Sequence, residues 1–204
     1  LATADEESGM DGAKALVRGG RPRARAAVIG EPTSLRPVRA QKGVSMERLF
    51  LRGLSGHSSD PANGRSALEG MRRALDAIAE VRAILQREHR NDAFSPPVPT
   101  LNLGSIRGGD NPNRICADCE LQFDLRLLPG MDDHTVRAMI RRAVERALEG
   151  SGLSIELAPL HEAIPPYETP ASAEIVGVVE RLTGAPAESV PFGTEAPFLA
   201  QLTP

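Results

Sequence analysis

Between residues 115 and 125 the chain alternates. Ile115, Ala117, Cys119, Leu121, Phe123 and Leu125 are apolar, while Asp118, Glu120, Gln122 and Asp124 lie between them. A period of two predicts a half-buried strand, here drawn over 114–127. Elsewhere the period lengthens. From about Ser66 the residues Leu68, Met71, Leu75, Ile78, Val81 and Leu85 recur at helical spacing, and Ser66 with Glu69 has capping-box spacing. A second helix follows "PGMDD", with Val136, Ile140, Val144 and Leu148 on one face and Gly150 closing it. "GVSMERLFLRG", "PTLNLGSIRGG" and "LSIELAP" read as further strands, with "SGHSSDPANGRS" a loop and "GGDNPN" a turn. The order from about 42 to 160 is therefore β-α-β-β-α-β, a ferredoxin-like arrangement.

The flanks have another texture. "LATA" and "ARAAVIG" read as buried strands of a parallel sheet joined by the helix "GMDGAKALVRGG", a βαβ unit. After "HEAIPPYETP", which reads as a linker, "SAEIVGVVERLTG" predicts a helix and "ESVPFGTEAPFL" a strand running into a helix start. The expected organisation is an α/β domain, residues 1–38, interrupted by the ferredoxin-like unit at 39–161 and resumed at 162–204.

Composition narrows this picture only slightly. With 41% hydrophobic and 25% charged residues, the chain has an ordinary globular balance. An aromatic share of 3% and no Trp require an aliphatic core. A net charge of −3 carries no basic surplus and argues against a nucleic-acid partner. No apolar run approaches the roughly 20 residues that span a bilayer, so no membrane role is expected. Cys116 and Cys119 form a C-x-x-C without the second pair usual for zinc. On a strand they face opposite sides, so they read as structural thiols in a cytoplasmic protein.

The candidate chemistry lies in the acids. Asp5, Glu6 and Glu7 follow the first expected strand and Glu31 follows the second, so a parallel pairing would bring them to one rim of a sheet, where ligands bind. One carboxylate could ligate a divalent cation while its neighbour takes a proton from bound water. Surface acids and helix N-terminal charges fit the same spacing. Oxygen ligands alone suit magnesium or calcium as well as zinc. The four histidines, His57, His89, His134 and His161, all fall in or beside the ferredoxin-like unit.

"TADEESG", "IGEPTSLRPVRAQKG", "SGHSSDP", "NRICADCELQFDLRLLPGM" and "GTEAPF" resemble, in the same order, segments of the M20 family of metallo-aminoacylases and peptidases. The resemblance runs over essentially the whole chain. It implies a zinc-binding catalytic domain interrupted by a ferredoxin-like lid that pairs two subunits into a homodimer. It also implies hydrolysis of an N-acylated amino acid, with two zinc ions per active site or cobalt in their place. Within the family the resemblance is to the branch that cleaves N-acetyl-L-ornithine in arginine biosynthesis, with N-succinyl-diaminopimelate, or the substrate of another aminoacylase or peptidase of the family, as the alternative.

By the same resemblance Glu6 is the general base and acid, and Glu7 and Glu31 are metal ligands. His57 reaches into the partner's active site to stabilise the tetrahedral intermediate. Asn113 and Arg126 contribute to substrate binding, and Gly193, Thr194 and Glu195 line the pocket. Taken by themselves, His57 is also an ordinary loop histidine, Asn113 a turn residue and Arg126 an exposed strand arginine. The family's upstream H-x-D motif, its bridging aspartate and its last histidine ligand have no counterpart here. The chain therefore reads as an internal piece of a longer enzyme, expected by itself to bind zinc weakly and to hydrolyse little. A non-catalytic dimerisation module is the remaining alternative.

Overall fold

The computed structural model describes residues 3–6, 9–20 and 22–203. In chain order the elements begin with helix α1 (Asp11–Gly19), strands β1 (Val38–Gln41) and β2 (Gly43–Arg52), and helix α2 (Ala67–Glu88). Strands β3 (Thr100–Gly108) and β4 (Asp118–Leu127) precede helix α3 (Asp133–Ala147) and strand β5 (Ser154–Pro159). Strand β6 (Tyr167–Glu168), helix α4 (Glu174–Thr183), strand β7 (Glu188–Val190) and helix α5 (Ala196–Leu199) complete the chain.

Strands β2 to β5 form one antiparallel sheet in the order β3-β4-β2-β5, with α2 and α3 packed together against it. This is the ferredoxin-like unit read from the periodicity. Its register places Leu49 opposite both Leu121 and Leu157, and Leu51 opposite Cys119. Because strand side chains alternate, one face of the sheet becomes apolar. Leu49, Leu51, Leu121, Phe123 and Leu125 are buried there beneath Met71, Ile78 and Val81 of α2 and Val136, Ile140 and Val144 of α3. Both helices start on a side-chain cap. Ser66 Oγ accepts from the Glu69 amide at 3.2 Å, and the Asp132 carboxylate accepts from the Thr135 amide at 2.8 Å and its hydroxyl at 2.7 Å.

Two charged groups are buried in this part of the molecule, each with partners. Glu47 on β2 is fully buried and accepts from Arg137 Nε at 2.8 Å, from Arg137 Nη2 at 2.7 Å and from Ser45 Oγ at 2.7 Å. This tether crosses from the sheet to α3. Lys42, also fully buried, donates to the carbonyls of Pro96 and Val98 at 2.8 and 2.7 Å, and burial lowers its pKa. It pins the α2–β3 connection to the junction of β1 and β2.

The second sheet is small, in the order β6-β1-β7, with β1 antiparallel to β6 and parallel to β7. The chain leaves this sheet through Gly43 and returns through Ile164 to Pro166. Val44 and Ile164 exchange backbone hydrogen bonds at 2.8 and 2.9 Å, so the two crossings lie side by side. A Cβ on Gly43 would fall 2.6 Å from Pro166 Cδ, which is why glycine stands there.

Several expectations fail. Residues 24–30 form no strand, and Val28 is 68% exposed. Leu1 and Ala2 lie outside the described residues, and Thr3 and Ala4 carry no strand. The expected βαβ unit is thus not formed among the described residues. An apolar run becomes a strand only where a neighbouring strand supplies the ladder, and residues 24–30 pair with none of those described. The expected linker 161–170 contributes β6 instead. The alternating strand begins at Asp118, so Cys116 precedes it and the opposite-sides argument does not apply. Both thiols are buried and free. Cys116 donates to the Asp118 carbonyl at 3.1 Å, and burial, with Cys116 nearby, pushes the Cys119 thiol up to about 11. No helix among the described residues is long and apolar enough to cross a membrane.

Candidate active site

The acidic stretch is held against the start of α1. The Met10 amide donates to the Asp5 carbonyl at 2.8 Å and the Gly12 amide to the Ala4 carbonyl at 3.1 Å. A Cβ on Gly12 would come within 2.4 Å of the Ala4 nitrogen, so only glycine admits this approach. Glu6 sits half-buried in that turn. Its neighbour Glu7 lies outside the described residues.

Glu31 is half-buried and lines a cavity of about 350 Å³ on the small sheet, together with Gln41, Tyr167, Phe192 and Thr194. Thr194 is buried and doubly anchored. Its amide and hydroxyl donate to Gln41 Oε1 at 3.1 and 2.6 Å, and its oxygen accepts from the Ala196 amide at 3.1 Å. Next to it, Glu195 is 6% exposed, and its Oε1 has no partner among the described residues. Gly193 packs so closely that a Cβ there would lie 3.0 Å from Val44 and 3.1 Å from Ile164. Arg36, on the rim of the same cavity, donates to Glu188 at 2.9 Å and holds that carboxyl below the usual range.

Val44 connects this region to Arg126, which faces it across the β2–β4 register. Arg126 is half-buried and donates from Nε to Asp124 at 2.9 Å. His57 and Asn113 lie elsewhere. Both are exposed, in loops joined by a bridge between His57 and Arg114 and by a 3.0 Å bond from the Ser58 amide to the Asn113 carbonyl. They adjoin the Asp118 end of β4, and Arg126 stands eight residues along it, on the order of 25 Å away. The structure therefore gathers Glu31, Thr194, Gly193 and Arg126 near the junction of the two sheets. It gathers His57 with Asn113 at the opposite end of the four-stranded sheet. Among the described residues Glu6 is not part of the cavity lining.

Residues 39–151 match the family described as the peptidase dimerisation domain of M20 enzymes. The chain belongs to the M20 family. Over all 204 residues it is 46% identical to acetylornithine deacetylase of Pasteurella multocida (strain Pm70) and 45% identical to that of Klebsiella pneumoniae (strain 342). It spans 53% of each of these relatives. The fold is similar to that of aminopeptidase PepT from Bacillus cereus, with a TM-score of 0.71 at 22% identity over 98% of this chain and 52% of that one. It is equally similar to a tripeptidase from Staphylococcus aureus, with a TM-score of 0.70 at 19% identity over 97% of this chain and 51% of that one. At these identities the likeness concerns the fold alone.

A zinc site implied by M20 membership does not assemble from the described residues. Among them no three His, Cys, Asp or Glu side chains come together in a way that could hold an ion. Two partners of the expected M20 site residues went unread in the sequence. Gln41 anchors Thr194, and Ser59 contacts the His57 ring at 2.7 Å. Ser59 was legible as the second residue after the histidine of "GHSS". Gln41 lies 153 residues from its partner, and nothing local marks it.

Proposed function

We propose that this chain is part of a metal-dependent amide hydrolase that removes the acetyl group from N-acetyl-L-ornithine, releasing ornithine and acetate. The observation that carries the reading is the identity of 45–46% to acetylornithine deacetylases sustained along all 204 residues. Glu7 and Glu31 are the carboxylates this chain offers to zinc. Glu6 takes the proton of the attacking water and passes it to the leaving amine. His57 of the partner subunit donates to the oxygen on which negative charge develops. Its place at the far end of the lid sheet from Glu31 favours this arrangement across a homodimer. So does β3, an edge strand exposed from Asn102 onwards with Leu103 and Ile106 uncovered. Asn113, Arg126, Gly193, Thr194 and Glu195 bind the substrate. Residues 1–38 and 162–204 belong to the catalytic domain, and 39–161 to the lid. The free thiols suit the reducing cytoplasm.

In the protein made from its full coding sequence, Glu6→Gln lowers kcat by roughly a thousandfold and leaves the metal content unchanged. Surviving turnover removes Glu6 from the base role. Competition between N-acetyl-L-ornithine and N-succinyl-diaminopimelate decides the acyl group, and a succinyl preference overturns the substrate assignment.

One observation favours a second reading for the chain by itself: residues 39–151, more than half of it, match a peptidase dimerisation domain. On that reading it is a dimerisation module with weak zinc affinity and little deacetylase turnover. It elutes as a dimer in size-exclusion chromatography. Purification with near-stoichiometric zinc and clear turnover would sink this reading.

A further inference from the structure

The loop that carries His57 is braced on both sides. The Ile115 amide donates to the Gly56 carbonyl at 2.8 Å, the Asp60 amide to the His57 carbonyl at 3.1 Å and the Asn63 amide to the Asp60 carbonyl at 3.2 Å. Within this frame two groups of one residue converge on a single ring nitrogen. The Ser59 amide N–H reaches His57 Nδ1 at 3.2 Å, and Ser59 Oγ lies 2.7 Å from the same atom. A backbone amide has a proton to give and no lone pair to offer, so Nδ1 must be the acceptor. A neutral imidazole carries one N–H and one lone pair, which puts the proton on Nε2. The serine hydroxyl can act either way, and facing a lone pair it also donates.

We propose that Ser59 is a positioning residue that locks His57 in the Nε2–H tautomer, so that the loop presents a hydrogen-bond donor from the far edge of the ring. The proposal rests on the reading of His57 as the group that meets the substrate's acyl oxygen. That oxygen gains negative charge as the amide carbon becomes tetrahedral, and a donor aimed at it lowers the barrier. The other tautomer would turn a lone pair toward the same oxygen and repel it. The device needs no carboxylate behind the ring, because two donors on Nδ1 fix the tautomer from the opposite side.

Long-range proton–nitrogen NMR spectra of the 15N-labelled chain read the tautomer directly, with His57 assigned by the signal lost in His57→Gln. The expected wild-type pattern is a pyridine-like Nδ1 and a pyrrole-like Nε2. Ser59→Ala, which keeps the amide but loses the hydroxyl, should give a mixed pattern, and Ser59→Thr should restore the single one. In the protein made from its full coding sequence, Ser59→Ala should lower kcat about tenfold with KM nearly unchanged, and Ser59→Thr should recover most of that loss. A pyrrole-like Nδ1 in the wild type overturns the proposal, as does a Ser59→Ala variant with unaltered tautomer and kcat. If the lock is seen but His57→Ala turns over normally, the tautomer assignment is supported and the catalytic reading of His57 falls instead.

Discussion

The ferredoxin-like unit and the segments around it are built from similar residues and reach different degrees of closure. In the unit, both helices and all four strands contribute to one continuous aliphatic core, and Leu49, Leu51, Met71, Ile78, Leu125, Ile140 and Val144 are fully buried. Around it, the largest separate cluster is centred on Met10, Ala13 and Phe198. Val28, Leu35 and Leu182 stay 68%, 85% and 81% exposed. The lesson is that apolar content does not make a core. The unit's strands find partners within about 120 residues of contiguous sequence, whereas the second sheet has, among the described residues, three short strands, β1, β6 and β7, with a cavity beside them.

That contrast can be broken most forcefully at the tether between sheet and helix. Arg137→Ala strands Glu47 as a buried, unpaired carboxylate and should cost about 3–5 kcal/mol, read as a lower midpoint in urea unfolding. A loss below about 1 kcal/mol would mean that water already reaches Glu47. Next is Ile78→Ala, which opens a void in the unit's core and should cost about 2–5 kcal/mol in the same measurement.

A smaller effect is expected at the cap of α3. The Thr135 hydroxyl and amide hold the Asp132 carboxyl below the usual aspartate range. A folded value below the unfolded one means that this contribution is present above the unfolded value. It is lost as pH falls through the folded one. Asp132→Ala should therefore lower the midpoint at neutral pH and converge with wild type in strong acid; a constant offset at every pH contradicts the cap. Smallest of all is Leu182→Ala in the flanks. With 81% of that residue exposed, the midpoint should move by less than about 0.5 kcal/mol, and a larger shift would reveal packing on α4.

The same division explains what could be read in advance. The cap at Ser66, the helical stripe from Leu68 to Leu85 and the alternation to Leu125 are local statements, and each became the element it predicted. The run "ARAAVIG" is equally apolar, but its strand character depends on neighbours supplied from elsewhere, and no local pattern encodes a ladder partner. Strand β6, only Tyr167 and Glu168, pairs with β1 from inside a proline-rich stretch whose composition reads as linker. At the candidate site the acids and the histidine were visible by residue type. Their neighbours were not: Gln41 meets Thr194 through folding alone, and the separation of His57 from Arg126 follows from the length of β4.

The paired crossings at Gly43 and Ile164 set how the two sheets can move relative to one another. Backbone bonds between Val44 and Ile164 clip the outgoing and returning strands into a single ribbon, and Gly43 lies so close to Pro166 that no side chain fits between them. Lys42 ties the α2–β3 connection to the same junction through Pro96 and Val98, and Ser189 on β7 donates to the Ala93 carbonyl, so the two sheets are joined like a strap riveted at several points and not by one pin.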